Sequence, residues 1–243
     1  MKRYGLLGKT LGHSFSKAFF TELFIEKQVD ATYSNFELAS ADVIPDLLKE
    51  ELSGISVTIP YKEAIIPFLD ELSPEASAIG AVNCVDFKDG KTIGYNTDTY
   101  GFQQSIKPFL TNKHERAMII GTGGASKAIA YVLKQLGIDC IFISRQPKGD
   151  NQFAYTDINV HMLNACKLVV NCTPVGMYPN VDDCIVFPFE YLTEDHLVVD
   201  IIYNPVQTKF LEQAKNAGAQ ILNGESMLKQ QALMAWKIWN DEM

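Results

Sequence analysis

The stretch that most restricts the fold is Ala117 to Gly137, AMIIGTGGASKAIAYVLKQLG. Met118 to Ile120 reads as a short buried strand, Gly121 to Ser126 as a glycine-rich turn, and the remainder as a helix closed by Gly137. Ala128, Ile129, Val132, Leu133 and Leu136 recur at helical spacing, so one face of that helix is apolar. A strand, a glycine turn and a helix N-terminus together expose backbone N–H groups to an anion, and the helix dipole adds to the attraction. Gly121 permits the tight turn and Gly123 allows a pyrophosphate to approach the backbone; Gly124 and Ala125 continue the turn. Ser126 stands where the dinucleotide fingerprint usually has its third glycine, so the motif is a variant.

The next strand, Asp139 to Ser144, completes a βαβ unit. NAD-binding units carry an acid near this strand end, about 20 residues past the glycines, to hold the ribose 2′-hydroxyl. Here the sequence is Ser144-Arg145-Gln146-Pro147-Lys148. Without an acid, and with Arg145 and Lys148 able to clamp a 2′-phosphate, the loop points to NADP, with NAD the weaker alternative.

Upstream, Arg3 to Gly8 reads as a first strand, followed by a loop holding His13, Ser14 and Ser16. Ser14 and Ser16 lie where open α/β sheets place ligands, and Ser16 reads equally well as the cap of a helix over 17–28. Gly54 to Pro60 reads as a strand stopped by proline, which lacks a ladder donor; Thr58 lies at its end and Lys62 just beyond. A lysine there reads either as a solvated cation or as an acid–base group in a cleft. Ala81–Phe87 and Thr92–Gly94 flank an Asp-Gly hairpin turn, and Asn83, Asn96 and Asp98 are candidate ligand groups or turn formers. Polar turns recur after the apolar strands Lys167–Asn171 and Leu197–Ile202, the first carrying Thr173 and Met177 and the second running through Ile201 to Tyr203. The last helix, 225–240, carries Gln231 within an apolar pattern.

The 243 residues carry a net charge of −8 without a basic run, which argues against a nucleic-acid surface. No apolar run reaches transmembrane length, and no membrane association or metal site is expected. Five cysteines lack C-x-x-C spacing and read as reduced thiols of a cytoplasmic protein.

Taken in order, eight segments resemble the shikimate dehydrogenase family: G-x-x-x-x-H-S-x-S (8–16), V-T-I-P-Y-K (57–62), G-A-V-N (80–83), N-T-D (96–98), G-T-G-G-A-S (121–126), N-C-T-P-V-G-M (171–177), D-I-I-Y-N-P (200–205) and G-x-x-M-L-x-x-Q-A (224–232). The resemblance implies two α/β domains flanking a cleft. Residues 1–98 plus 225–243 would form the shikimate-binding catalytic domain, and 99–224 an NADP-binding Rossmann-like domain. It also implies NADPH-dependent reduction of 3-dehydroshikimate to shikimate, a step toward aromatic amino acids, in a monomer or homodimer.

Lys62 and Asp98 would be the catalytic pair. Ser14, Ser16, Thr58, Lys62, Asn83, Asp98, Tyr203 and Gln231 would line the substrate site. Gly121, Gly123, Gly124, Ala125, Ser126, Ser144, Arg145, Lys148, Thr173, Met177, Ile201 and Gly224 would hold the cofactor. The family usually writes N-R-T and a further arginine where this chain has Ser144-Arg145-Gln146 and Lys148, and the helix that follows looks shortened or missing. Alternatives within reach are a quinate/shikimate dehydrogenase with relaxed NAD/NADP use and a non-catalytic shikimate-sensing module.

Overall fold

The structure is a computed structural model that describes residues 1–12 and 15–242. Packing divides the chain into two units, Met1–Thr97 with Ala232–Met243, and Asp98–Gln231. In chain order the first unit holds β1 (Lys2–Gly8), α1 (Phe15–Glu26), β2 (Ala31–Glu37), α2 (Ile44–Leu48), β3 (Gly54–Val57), α3 (Tyr61–Ala64), β4 (Glu71–Leu72), α4 (Pro74–Ile79), β5 (Cys84–Lys88) and β6 (Lys91–Tyr95). The second holds α5 (Asp98–Ile106), β7 (Arg116–Ile120), α6 (Gly124–Gln135), β8 (Asp139–Ile143), β9 (Gln152–Phe153), α7 (Val160–Ala165), β10 (Leu168–Asn171), β11 (Leu197–Asp200), α8 (Lys209–Asn216), β12 (Gln220–Leu222) and the first half of α9 (Glu225–Trp239).

The first unit is a six-stranded mixed sheet in the order β2-β1-β3-β5-β6-β4. β1 runs parallel to β2 and β3, whereas β5 is antiparallel to both β3 and β6. The β5–β6 hairpin turns through Asp89 and Gly90, both at positive φ (53° and 75°), which is the geometry an Asp-Gly pair supports. α1 directs Phe20, Leu23 and Phe24 inward at i, i+3, i+4 spacing. The second half of α9 joins them: Trp236, Ile238 and Trp239 share a buried cluster with Tyr4, Phe20 and Phe24. Trp239 stacks on Tyr4 with ring centroids 4.9 Å apart and donates from Nε1 to the Val85 carbonyl at 3.0 Å.

The second unit is a six-stranded sheet in the order β12-β11-β10-β7-β8-β9, parallel at every pairing. Its central strands read as unbroken apolar runs because both faces are covered. Met118, Ile120, Val169 and Val198 pack on one face. Their neighbours Ala117, Ile119, Leu168, Val170, Leu197 and Val199 pack on the other with Ile129, Val132 and Leu133 of α6. The order reverses between β7 and β10, and the carboxyl ends of these two strands mark the crevice where such sheets usually hold a ligand.

The chain departs from the sequence expectations in two places. α1 begins at Phe15, so Ser16 lies inside its first turn instead of capping a helix that starts at Lys17. β3 ends at Val57, because Tyr61 N–H bonds the Thr58 carbonyl (2.9 Å) and folds the chain into α3; Lys62 therefore rides on a helix turn. Between β8 and α7, where the sequence reads a shortened or missing helix, the chain forms β9 and a single 3₁₀ turn at Tyr155–Asp157, with no α-helix.

Candidate active site

At the crevice of the second unit, Gly121 adopts φ 105°, a left-handed conformation that side chains other than glycine's rarely accept. A Cβ there would lie 3.2 Å from Thr173 Cγ2, so the turn after β7 sits directly against the loop after β10. Gly123 is the N-cap of α6 without a side chain to occupy the first N–H groups, and the first turn holds no acid. The twelve-residue helix thus presents its positive end bare, and a Cβ at Gly123 would meet nothing within 4 Å. Gly124 and Ala125 are half-buried in the same first turn. Ser126 is fully buried, so its side chain packs against the sheet beside Cys172.

Beyond β8, Ser144 N–H donates to Phe153 O at 2.9 Å and Ser144 Oγ accepts from Gln146 N–H at 3.2 Å. Arg145 and Lys148 are exposed. The charge of Arg145 reaches Tyr155, where it opposes the upward push of burial on the phenol. A bare helix N-terminus at a glycine turn, followed by two cations and no acid from Ser144 to Gly149, fits a dinucleotide with an extra phosphate on its adenosine ribose.

The far wall of the crevice is organised by Asn171 and Asp200, which open two of the family-like segments without being among the expected site residues. Asn171 and Asp200 end β10 and β11 in register. Both side chains are fully buried. Asn171 Nδ2 donates to Asp200 Oδ1 (3.1 Å), Ile202 N–H donates to the same oxygen (3.1 Å), and Thr208 Oγ1–H donates to Oδ2 (2.7 Å). Burial pushes the Asp200 carboxyl up to about 6, with the three donors pulling against it. The sequence signal was present: two strands of pure aliphatic character, LVVN and LVVD, each close on a polar residue.

Around this network, Met177 is 40% exposed. Tyr203 is half-buried, its phenol pushed up by burial. Gly224 is buried, and a Cβ there would collide with the Ile201 carbonyl.

Asp98 opens α5 and is buried. One turn on, Gly101 lets α9 approach: a Cβ there would fall 2.6 Å from the Met227 carbonyl and 3.0 Å from Gln231 Cβ. Gln231, half-buried, thus lies on the helix packed against the one that Asp98 begins, and its Nε2 donates to Leu228 O at 3.0 Å.

In the first unit, backbone bonds gather Thr58, Lys62 and Asn83. Val57 N–H donates to Asn83 O (2.8 Å) and Val82 N–H to Lys62 O (2.7 Å). Asn83 is buried, its Oδ1 accepting from Thr97 N–H at 2.6 Å and its Nδ2 donating to Thr97 Oγ1 at 3.0 Å. Lys62 and Thr58 are half-buried. Ser16 is buried and hydrogen-bonded to the Tyr33 hydroxyl, which also donates to Ser56 Oγ at 3.0 Å. Asn96 is buried and donates its amide to Ala81 O at 2.9 Å, a turn-forming role. His13 and Ser14 lie outside the described residues. Among the described residues no group of three or more His, Cys, Asp or Glu side chains could hold a metal ion, and no helix is long and apolar enough to cross a membrane.

A doubly wound parallel sheet with a bare helix N-terminus at its switch point, in one chain with a second α/β sheet, defines a two-domain dinucleotide-binding protein of the Rossmann type. The family model described as the shikimate dehydrogenase substrate binding domain matches residues 6–85. A shikimate dehydrogenase (NADP(+)) of Desulforamulus reducens is 37% identical over 97% of this chain and 88% of its own length. The crystal structure of shikimate 5-dehydrogenase from Thermus thermophilus in complex with NADP(H) and shikimate is 30% identical, with a TM-score of 0.88 over 99% of this chain and 94% of that one. Quinate dehydrogenase from Corynebacterium glutamicum in complex with NAD is 28% identical, with a TM-score of 0.86 over 99% and 94% of the two chains. The chain belongs to the shikimate dehydrogenase family.

Proposed function

We propose that this protein is an NADP-dependent shikimate dehydrogenase of the cytoplasm that interconverts 3-dehydroshikimate and shikimate. The observation that carries the cofactor choice is the bare N-terminus of α6 followed by a strand end with Arg145 and no acid, in a chain of this family. The first unit is then the substrate domain and the second the nucleotide domain. The five cysteines are all free thiols, which suits a reducing compartment.

When bound, the cofactor supplies a hydride to the ketone carbon. The residues of the chain do the rest. Lys62 Nζ gives its proton to the oxygen on which negative charge develops, and Asp98 is its partner in the catalytic pair. In the reverse direction Lys62 takes the hydroxyl proton back. Ser14, Ser16, Thr58, Asn83, Tyr203 and Gln231 hold the ring hydroxyls and carboxylate, so that the ketone is presented in one orientation. Supporting these roles are the burial of Asp98 at a helix start, the half-buried Lys62 tied to Val82, and the rigid pairing of Asn83 with Thr97.

The cofactor-side roles follow the same reading. Gly121, Gly123 and Gly124 with Ala125 receive the pyrophosphate, and Ser126 sets the depth at which α6 packs. Ser144, Arg145 and Lys148 take the adenosine phosphate. Thr173, Met177, Ile201 and Gly224 lie toward the nicotinamide. A second reading, relaxed use of NAD, is favoured by one observation: β9 and a 3₁₀ turn stand where the family pattern places a helix after β8, so the loop carrying Arg145 departs from that pattern.

The test is absorbance at 340 nm with purified protein, shikimate or quinate, and NADP+ or NAD+. Reduction of NADP+ by shikimate, faster than for any other pairing, is the expected result. Absence of reduction with shikimate and either cofactor overturns the proposal, and equal rates with both cofactors establish the second reading.

A further inference from the structure

The Asp200 carboxylate is fully buried, yet every group bonded to it is a neutral donor. An ionised acid without a cation is a costly way to hold two loops together, and an amide or an apolar side chain would fill the same space more cheaply. What a carboxylate uniquely offers is acceptance without donation on both oxygens. Here that property is used in full. Ile202 N–H fixes the loop after β11, Asn171 Nδ2 fixes the loop after β10, and Thr208 Oγ1–H fixes the start of α8.

The order propagates outward on both sides. With its amide committed to Asp200, Asn171 must turn Oδ1 toward Thr173, where it accepts from both N–H (2.9 Å) and Oγ1–H (2.8 Å). Thr173 in turn is the neighbour of Gly121 at the glycine turn. On the other side, Ile202 O accepts from Gly224 N–H at 3.0 Å, which ties the loop after β11 to the start of α9.

We propose that Asp200 is a positioning residue for the nucleotide, an acceptor-only clamp that sets the loops after β10 and β11 in a single arrangement at the switch point. The proposal rests on the cofactor reading given above and adds to it a residue that does not itself face the ligand. Acceptor-only character, rather than shape, is what the clamp requires: an asparagine at 200 would direct an N–H at one of the present donors.

The experiment compares the full-length protein with Asp200→Asn, Thr208→Val and Thr208→Ser. It measures the NADPH dissociation constant by fluorescence titration, the shikimate dissociation constant by calorimetry, and the urea midpoint without ligand. Asp200→Asn is expected to weaken NADPH about tenfold, the cost of one charge-assisted hydrogen bond. Shikimate affinity should stay within about twofold and the urea midpoint should not fall, as for sites with no shared partner. Thr208→Val should weaken NADPH in the same sense, and Thr208→Ser, which keeps the hydroxyl, should not. The clamp is refuted by NADPH affinity that is unchanged in both Asp200→Asn and Thr208→Val. It is equally refuted if NADPH and shikimate affinities fall together with the urea midpoint, since Asp200 then merely supports the fold. A wild-type protein that binds shikimate but no NADPH refutes the cofactor reading itself, and the clamp with it.

Discussion

Replacing Asp200 by asparagine should make the free protein more stable at neutral pH. Its carboxyl is fully buried and raised from 3.8 to about 6 because burial outweighs three hydrogen bonds. A rise of that size means that keeping the group ionised at pH 7 costs the folded state about 3 kcal/mol relative to the unfolded chain. Asparagine has the same shape and no charge to desolvate. It should recover up to about 3 kcal/mol, less whatever Thr208 loses when its hydroxyl meets an amide.

The sign follows from proton counting. Between about pH 4 and 6 the folded protein holds a proton on Asp200 that the unfolded chain has released, so the wild type loses stability as pH rises through this window. Above it the deficit is constant. Urea unfolding of both proteins at half-unit steps from pH 4 to 7.5, without ligand, measures the difference. The two should be nearly equal near pH 4 and diverge toward pH 6, with the variant ahead. A variant less stable than wild type at pH 7 would overturn this account, showing that the three donors stabilise the ionised carboxylate by more than its burial costs.

Three further outcomes are expected. Lys62→Met should lower kcat by roughly 10²- to 10⁴-fold with a much smaller change in KM, as loss of a general acid requires; near-normal turnover removes Lys62 from the reaction. Arg145→Ala should weaken NADPH far more than NADH in parallel titrations, and equal losses would mean that Arg145 does not read the phosphate. His114 and His196 are buried with Nδ1 accepting from Thr111 N–H (3.0 Å) and Thr193 N–H (2.9 Å), and burial lowers both below 6.5. Unfolded histidines take up protons first, so stability should fall as pH drops below about 6.5. The double variant His114→Gln/His196→Gln, unfolded in urea across pH 5 to 7.5, should lack that component; an unchanged slope would show that neither histidine contributes.

Much of the second unit was legible because its local and tertiary signals agree. Apolar runs closed by polar turns gave β7, β10 and β11; Asn159 and Thr208 cap α7 and α8 as their side chains allow; and Gly121 reads as a turn residue and takes a positive φ. The two-residue strands β4 and β9 were not legible, because so short a segment carries no periodicity and exists only through its neighbour in the sheet. The cap reading of Ser16 fails because capping preference is local, whereas the start of α1 is set by where its aromatic face meets the core of the first unit.

By itself the sequence determined the chemistry on offer: a glycine turn for a pyrophosphate, Arg145 in place of an acid, and Lys62, Asp98 and Gln231 as separated polar residues of a recognisable family. Those features are local in the chain, and their meaning survives without coordinates. Only tertiary structure decided that α9 turns its tryptophans into the core of the first unit while its first half packs on α5. Tertiary structure alone, too, set Asn171 beside Asp200 in register across two parallel strands. Hydrogen bonds between residues 29 positions apart have no trace in composition or periodicity. They exist because strand pairing brings two polar ends to the same buried point, where each must find a partner.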